Sequence, residues 1–137
     1  MQSRLNPYLN FPGTARQALE FYHQVFGGEL VVNTFGEFGN PDPELSDQIM
    51  HGQLESPNGF TLMASDLAPG VAYQPGTNIT ISLSGDNHDE LTGYWKQLSA
   101  GGSVTVPLEL QMWGAEFGQC VDQYGISWLV NISQPGS

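Results

Sequence analysis

Basic residues are almost missing from this chain. Its 137 residues hold only three, Arg4, Arg16 and Lys96, against 14 Asp and Glu, and the formal net charge is −11. A nucleic-acid partner needs phosphate-neutralising Lys and Arg, so that class is excluded, as is an anionic membrane surface. Cysteine is nearly absent too: Cys120 stands alone, which rules out an intramolecular disulfide and a Cys-based zinc site and leaves a small core thiol as its reading. No apolar run approaches the roughly 18 residues of a transmembrane helix. The opening Met-Gln-Ser-Arg-Leu-Asn has no signal-peptide pattern, so a soluble cytoplasmic protein is expected.

What is present is enough apolar residue for a core, 39%, with 17 Gly and 9 Pro marking many turns. This length predicts one domain, residues 1–137, burying about two-thirds of its unfolded surface. Much of the acid lies between Glu37 and Glu55. It reads as a solvated loop, with attraction of a cationic ligand as the alternative.

The chain says one thing twice. A helix pattern closed by Gly-Gly occurs at 14–28 and again at 87–102. Each leads on to a strand with an x-Gly-apolar-x-apolar phrase, Asn58-Gly59-Phe60-Thr61-Leu62 and Tyr124-Gly125-Ile126-Ser127-Trp128. A period of about 70 residues is too long for a solenoid unit and too short for two ordinary domains. Two pseudo-equivalent modules, about 5–66 and 77–132 with a linker at about 67–76, are therefore expected.

In the first module, Asn6–Phe11 alternates as a strand. Thr14 and Gln17 have capping-box spacing, and Ala15, Ala18, Leu19, Tyr22, Val25 and Phe26 then share one helical face. Strands follow at Leu30–Phe35, Ile49–Glu55 and Phe60–Ser65, with an acidic loop at 36–48 containing Pro41 and Pro43, and a hairpin turn at Ser56-Pro57-Asn58-Gly59. The linker carries Pro69, Gly70, Pro75 and Gly76. The second module repeats the order: Asn78–Leu83, a helix capped by Asn87 and Glu90 with the stripe Leu91, Tyr94, Trp95 and Leu98, then Val104–Leu110, Phe117–Asp122 and Ile126–Ile132. Pro107 marks an edge or a bulge. The fold class is α+β.

If each helix buries its stripe on its sheet, Ile79, Ile81 and Leu83 pack under the second helix. Asn78, Thr80 and Ser82 then face the other way, with Asn6, Tyr8 and Asn10 as their counterparts. His51 and Gln53, Thr61 and Met63, Phe117 and Gln119, and Ser127 and Leu129 join that helix-free face. Such a mixed polar–aromatic face is either solvent-exposed or a binding cleft.

The phrases Pro7-Tyr8-Leu9-Asn10-Phe11, Ala18-Leu19-Glu20-Phe21-Tyr22, Phe26-Gly27-Gly28-Glu29-Leu30, Met50-His51-Gly52-Gln53-Leu54, Leu62-Met63-Ala64-Ser65-Asp66, Trp113-Gly114-Ala115-Glu116-Phe117-Gly118 and Asp122-Gln123-Tyr124-Gly125-Ile126-Ser127-Trp128 span nearly the whole chain. In order and spacing the chain resembles the PhnB-like branch of the vicinal oxygen chelate superfamily, which includes glyoxalase I and the bleomycin- and fosfomycin-resistance proteins. The resemblance implies two βαβββ modules forming a curved mixed sheet with a concave cleft, helices on the convex face, and usually a homodimer. Branch members often carry the label of 3-demethylubiquinone methyltransferase, but no Gly-rich strand–helix turn for S-adenosylmethionine occurs here.

In metal-using members of that superfamily, His, Glu or Gln come from four strand positions, and the metal acts as a Lewis acid. Here those positions fall within Asn6–Tyr8, at or beside Asn78, and at Met63 and Leu129. Met and Leu supply no hard donor and Asn is a weak one, so no metal and no cofactor is expected.

His51 is the one His on a strand. It reads as a general base or ligand hydrogen-bond partner, or else as a hydrogen-bonded His at the sheet edge. His23 and His88 read as surface residues. Tyr8, Trp113 and Phe117 line an apolar pocket or pack in the core or a dimer interface, whereas Tyr94 and Trp95 read as core. Glu116 and Asp122 are a possible carboxylate pair or loop charge. The favoured reading is a dimer that binds a small organic molecule in the inter-module cleft through Tyr8, His51, Gln53, Met63, Asn78, Trp113 and Phe117, with no metal. The alternatives are a lyase- or transferase-type enzyme using His51 as base, or a metal held by His51 and Glu55, and a protein acting through its surface in an assembly. No Ser-His-Asp, P-loop or dinucleotide pattern occurs.

Overall fold

The computed structural model describes residues 3–39, 42–68 and 70–134; Pro41 of the acidic loop and Pro69 of the linker lie outside them. The chain divides into two compact units, one ending at Gln74 and the other beginning at Pro75.

The first unit runs β1 (Tyr8–Phe11), α1 (Ala15–Phe26), β2 (Glu29–Thr34), β3 (Ile49–Glu55), β4 (Thr61–Asp66). Its sheet has the order β1-β4-β3-β2, with β1 parallel to β4 and the other pairs antiparallel. The second unit runs β5 (Ile81–Gly85), α2 (His88–Ser99), β6 (Ser103–Leu110), β7 (Glu116–Val121), β8 (Ser127–Ile132). Its order, β5-β8-β7-β6, and its strand directions are the same. The repeat in sequence is thus a repeat of topology: an α+β fold of two four-stranded mixed sheets and two helices.

The Gly-Gly phrase has a steric cause. Gly28 has φ +93°, and a Cβ there would lie 2.0 Å from the Glu55 carbonyl oxygen at the end of β3. At Gly102 the clash is 2.2 Å, with the carbonyl oxygen of Val121 at the end of β7. In both units the chain leaving the helix passes against the end of the third strand, where no side chain fits. A second pair of glycines lies beneath the helices. A Cβ on Gly52 would meet Leu19 Cδ1 at 2.3 Å, and one on Gly118 would meet Trp95 Cη2 at 2.9 Å. The helix packs closely where the sheet has no side chain to hold it off.

The hairpins repeat as well. The Ser56 N–H donates to the Phe60 carbonyl oxygen, and its Oγ accepts from the Phe60 N–H at 3.0 Å. Asp122 does the same with Ile126, its Oδ1 accepting from that N–H at 3.1 Å, and its Oδ2 also accepts from Trp128 Nε1 at 2.8 Å. Asp122 is buried as this anchor. Glu116 lies at the other end of the six-residue β7 and instead meets His88 Nε2 at 3.1 Å. The two acids are roughly 20 Å apart along the strand, so they form no carboxylate pair.

The two helices start differently. Asn87 caps α2 locally, its Oδ1 accepting from the Glu90 N–H at 3.1 Å. The Glu90 side chain accepts from the Tyr94 hydroxyl at 2.6 Å. Thr14 makes no side-chain cap, so the expected Thr14–Gln17 box does not form. Asp66 supplies the acceptor from the end of β4: its Oδ1 takes the Ala15 N–H at 2.9 Å and its Oδ2 the Ile49 N–H at 2.8 Å. The charged acceptor from the neighbouring strand takes the first orphan amide of α1, whereas the box would have used the Gln17 amide.

The helical stripes are buried as the periodicity predicts. Ala15, Ala18, Leu19, Tyr22, Val25 and Phe26 cover Phe11, Ile49, Leu54, Leu62 and Ala64. Leu91, Tyr94, Trp95 and Leu98 cover Leu83, Cys120, Trp128, Val130 and Ile132. Each large side chain so buried contributes about 1.5–3 kcal/mol. Ile79 departs from expectation: it is 78% exposed, and β5 begins only at Ile81. The cause is pairing. Ile81 lies opposite Trp128, and β8 begins one residue earlier at Ser127, after the Asp122 turn, so residues 78–79 have no strand to join. Thr80 reaches across by its side chain, Oγ1 to Ser127 Oγ at 2.9 Å. Pro107 lies on the edge strand β6, within the register shift between Val106 and Glu109.

Candidate functional site on the first sheet

Strand register sets the helix-free face of the first sheet. One row across it reads Tyr8, Met63, Gln53, Val31; the next reads Thr61, Glu55, Glu29; His51 lies opposite Asn33, and Asn10 opposite Ser65. Tyr8, His51, Gln53 and Met63, singled out from sequence, therefore share one face. Glu29, Val31, Asn33, His51, Gln53 and Glu55 line an open groove of about 300 Å³ on the β2–β3 side.

At one end the Tyr8 hydroxyl and His51 Nδ1 share a hydrogen bond of 3.2 Å, with ring centroids 5.7 Å apart. At the other, Arg4 Nη2 donates to Glu55 Oε1 at 3.2 Å and to Thr61 Oγ1 at 2.6 Å, while Gln53 Nε2 donates to the same carboxylate oxygen at 3.1 Å. Asn33 Nδ2 donates to Glu37 Oε2 at 3.1 Å. Glu29 stands directly opposite Glu55, with no hydrogen bond or ion pair among the described residues. Two carboxylates against one guanidinium give the groove a net negative potential, which disfavours anionic ligands. Val31, 60% exposed, is its apolar floor.

Glu29, Val31, Asn33 and Arg4 were not anticipated as site residues. The alternation of Glu29, Val31 and Asn33 was legible, but only the β2–β3 register shows which face of β3 they join.

The other candidates lie in the second unit. Phe117 pairs across strands with Asn131, and Ser82, Leu129 and Gln119 form one row. Trp113, 62% exposed, meets Phe117 edge to face at 6.0 Å. Asn78 is exposed and precedes β5, and the residue beside Leu129 is Ser82. His23 Nε2 bonds the Gly28 carbonyl oxygen at 2.8 Å, completing the end of α1. Burial, and then the negative charge of Asp122, push the Cys120 thiol up to about 11.

The residues present do not fit the superfamily's metal. By register the four positions are Tyr8 and Met63 in one unit and Ser82 and Leu129 in the other. A phenol, a thioether, a hydroxyl and an isobutyl group are a poor donor set for a divalent cation. His51 and Glu55 do not make an alternative pair. They are four residues apart on one strand, roughly 13 Å, and Glu55 is already held by Arg4 and Gln53. Among the described residues no three His, Cys, Asp or Glu are grouped so as to hold a metal ion.

Paired βαβββ units define the glyoxalase/bleomycin-resistance class of fold. The likeness is direct: a glyoxylase/bleomycin resistance protein/dioxygenase domain from Frankia sp. EAN1pec matches with TM-score 0.68 at 15% identity, over 100% of this chain and 96% of that one. A putative 3-demethylubiquinone-9 3-methyltransferase, PhnB protein, from Bacillus cereus matches with TM-score 0.76 at 21% identity, over 96% of this chain and 100% of that one. Protein PA1353 from Pseudomonas aeruginosa matches with TM-score 0.87 at 38% identity, over 97% of this chain and 99% of that one. The model of the 3-demethylubiquinone-9 3-methyltransferase family matches residues 3–131, and the chain belongs to that PhnB-like family.

Proposed function

We propose that this chain binds a small organic molecule on the polar face of its first sheet, without the metal that other members of the fold use. The observation that carries the reading is the groove on β2 and β3, where the Tyr8–His51 pair, two side-chain amides and an exposed valine converge. A few directional polar groups around an apolar floor is the usual make-up of a small-molecule site. Methyl transfer, which the family's description names, has less behind it. The loop from β1 to α1 is Pro12-Gly13-Thr14, with one glycine and no backbone cradle for a nucleoside-bearing methyl donor. The proposal includes a homodimer working in the cytoplasm. The exposed Leu110, Met112 and Trp113 offer apolar surface for assembly. Light scattering giving the monomer mass at micromolar concentration would remove the dimer from the reading.

The test is a thermal-shift screen of neutral and cationic aromatic molecules against the full chain. Hits are expected to raise Tm, with the shift reduced in His51→Ala and Gln53→Ala. A screen in which no compound raises Tm, or in which hits ignore both substitutions, would refute the proposal.

A further inference from the structure

We propose that Tyr8 is a positioning residue that sets the tautomer of His51: its hydroxyl donates to Nδ1, the imidazole proton sits on Nε2, and His51 meets a ligand as a hydrogen-bond donor rather than a base. The inference rests on the groove being the binding site. It starts from the 3.2 Å contact between the Tyr8 hydroxyl and His51 Nδ1. That bond has two forms. A neutral phenol is a good donor and a poor acceptor, because its oxygen lone pair is delocalised into the ring. A neutral imidazole nitrogen without hydrogen is a good acceptor. Tyr8 therefore donates and Nδ1 accepts, which places the one imidazole proton on Nε2.

No second hydrogen bond to the His51 ring occurs among the described residues, so Nε2–H is left to the groove that His51 lines. A general base must present an unprotonated nitrogen to its substrate. His51 presents a protonated one, and its lone pair is spent on Tyr8. Ligand chemistry follows. The molecule offers His51 an acceptor, a carbonyl-type oxygen. Because Glu29 and Glu55 bring two negative charges and Arg4, paired with Glu55, brings one positive charge, it is neutral or cationic rather than a carboxylate.

The experiment uses the full chain labelled with ¹⁵N at histidine, observed by long-range ¹H–¹⁵N correlation above the pH at which His51 titrates in the same spectra. His51 is expected to show a pyridine-type Nδ1 and a pyrrole-type Nε2. Tyr8→Phe should move both resonances towards averaged tautomers, with circular dichroism unchanged. A pyrrole-type Nδ1, or a pattern indifferent to Tyr8→Phe, overturns the assignment. Benzamide and benzoate then serve as probes. Benzamide should perturb Nε2 at several-fold lower concentration than benzoate, and several-fold more weakly in Tyr8→Phe. Benzoate binding the tighter of the two overturns the ligand preference. Since the tautomer is read without ligand, the expected pattern with no binding by either probe sinks the groove as a binding site while leaving the tautomer standing.

Discussion

Replacing Asp66 with Ala should destabilise the first unit far more than its surface chemistry implies. The carboxylate is buried and ties the first amide of α1 to the first amide of β3, at 2.9 and 2.8 Å. A hydrogen bond to a charged group is worth about 1.5–3 kcal/mol, so the pair is worth about 3–6 kcal/mol, and truncation leaves two buried N–H groups unpaired. Against a total of about 5–15 kcal/mol for an ordinary domain, that is a large fraction. Asp66→Asn should lose about half as much, since one carbonyl oxygen survives and an NH₂ faces the other amide. The second unit supplies the control. Asn87 makes one neutral cap at 3.1 Å, and Asn87→Ala should cost about 1 kcal/mol. The assay is urea unfolding followed by far-ultraviolet circular dichroism, with hydrogen exchange at Ala15 and Ile49. Trp95, Trp113 and Trp128 all belong to the second unit, so the local readout for the first is the exchange at Ala15 and Ile49. If Asp66→Ala costs under about 1 kcal/mol, or no more than Asn87→Ala, the shared acceptor is not what holds α1 to its sheet.

Gly28→Ala should cost more than about 3 kcal/mol in the same assay, because it combines a left-handed backbone with a 2.0 Å overlap on Glu55. Gly59→Ala, at φ +88° with no atom within 4 Å, should cost only about 1 kcal/mol, and equal losses would refute the steric account. Cys120, with its thiol pushed up from 9.0 to about 11, favours the folded state while it stays protonated. That contribution is whole below pH 9 and disappears as pH rises through 11, on the order of 2–3 kcal/mol. Unfolding at pH 8 and pH 11 should therefore show a steeper loss in the native chain than in Cys120→Ala, and identical slopes would contradict it.

Periodicity was enough for the helices, because a buried stripe at 3.6-residue spacing has few other solutions. All six residues of the α1 stripe and all four of the α2 stripe are buried. It also indicated the helix-free face, since strand side chains alternate. Helix capping was less legible. A capping box is a local pattern, and Thr14 makes no cap; the acceptor at the start of α1 is Asp66, which is distant in sequence and adjacent only once β4 pairs with β1. The start of β5 likewise depended on where β8 begins, which no residue between 78 and 81 records.

The amino-acid sequence by itself determined the two modules, their helical cores and the glycines that close each helix. Those are matters of composition, period and internal repetition, and they survive any rearrangement of distant contacts. Tertiary structure alone decided the site. Register brought Glu29, Val31 and Asn33 beside His51 and Gln53, laid Arg4 on Glu55, and set the Tyr8 hydroxyl on His51 Nδ1. Each of these joins residues on different strands or segments, and a hydrogen bond between strands depends on pairing, which a single chain read in order does not state.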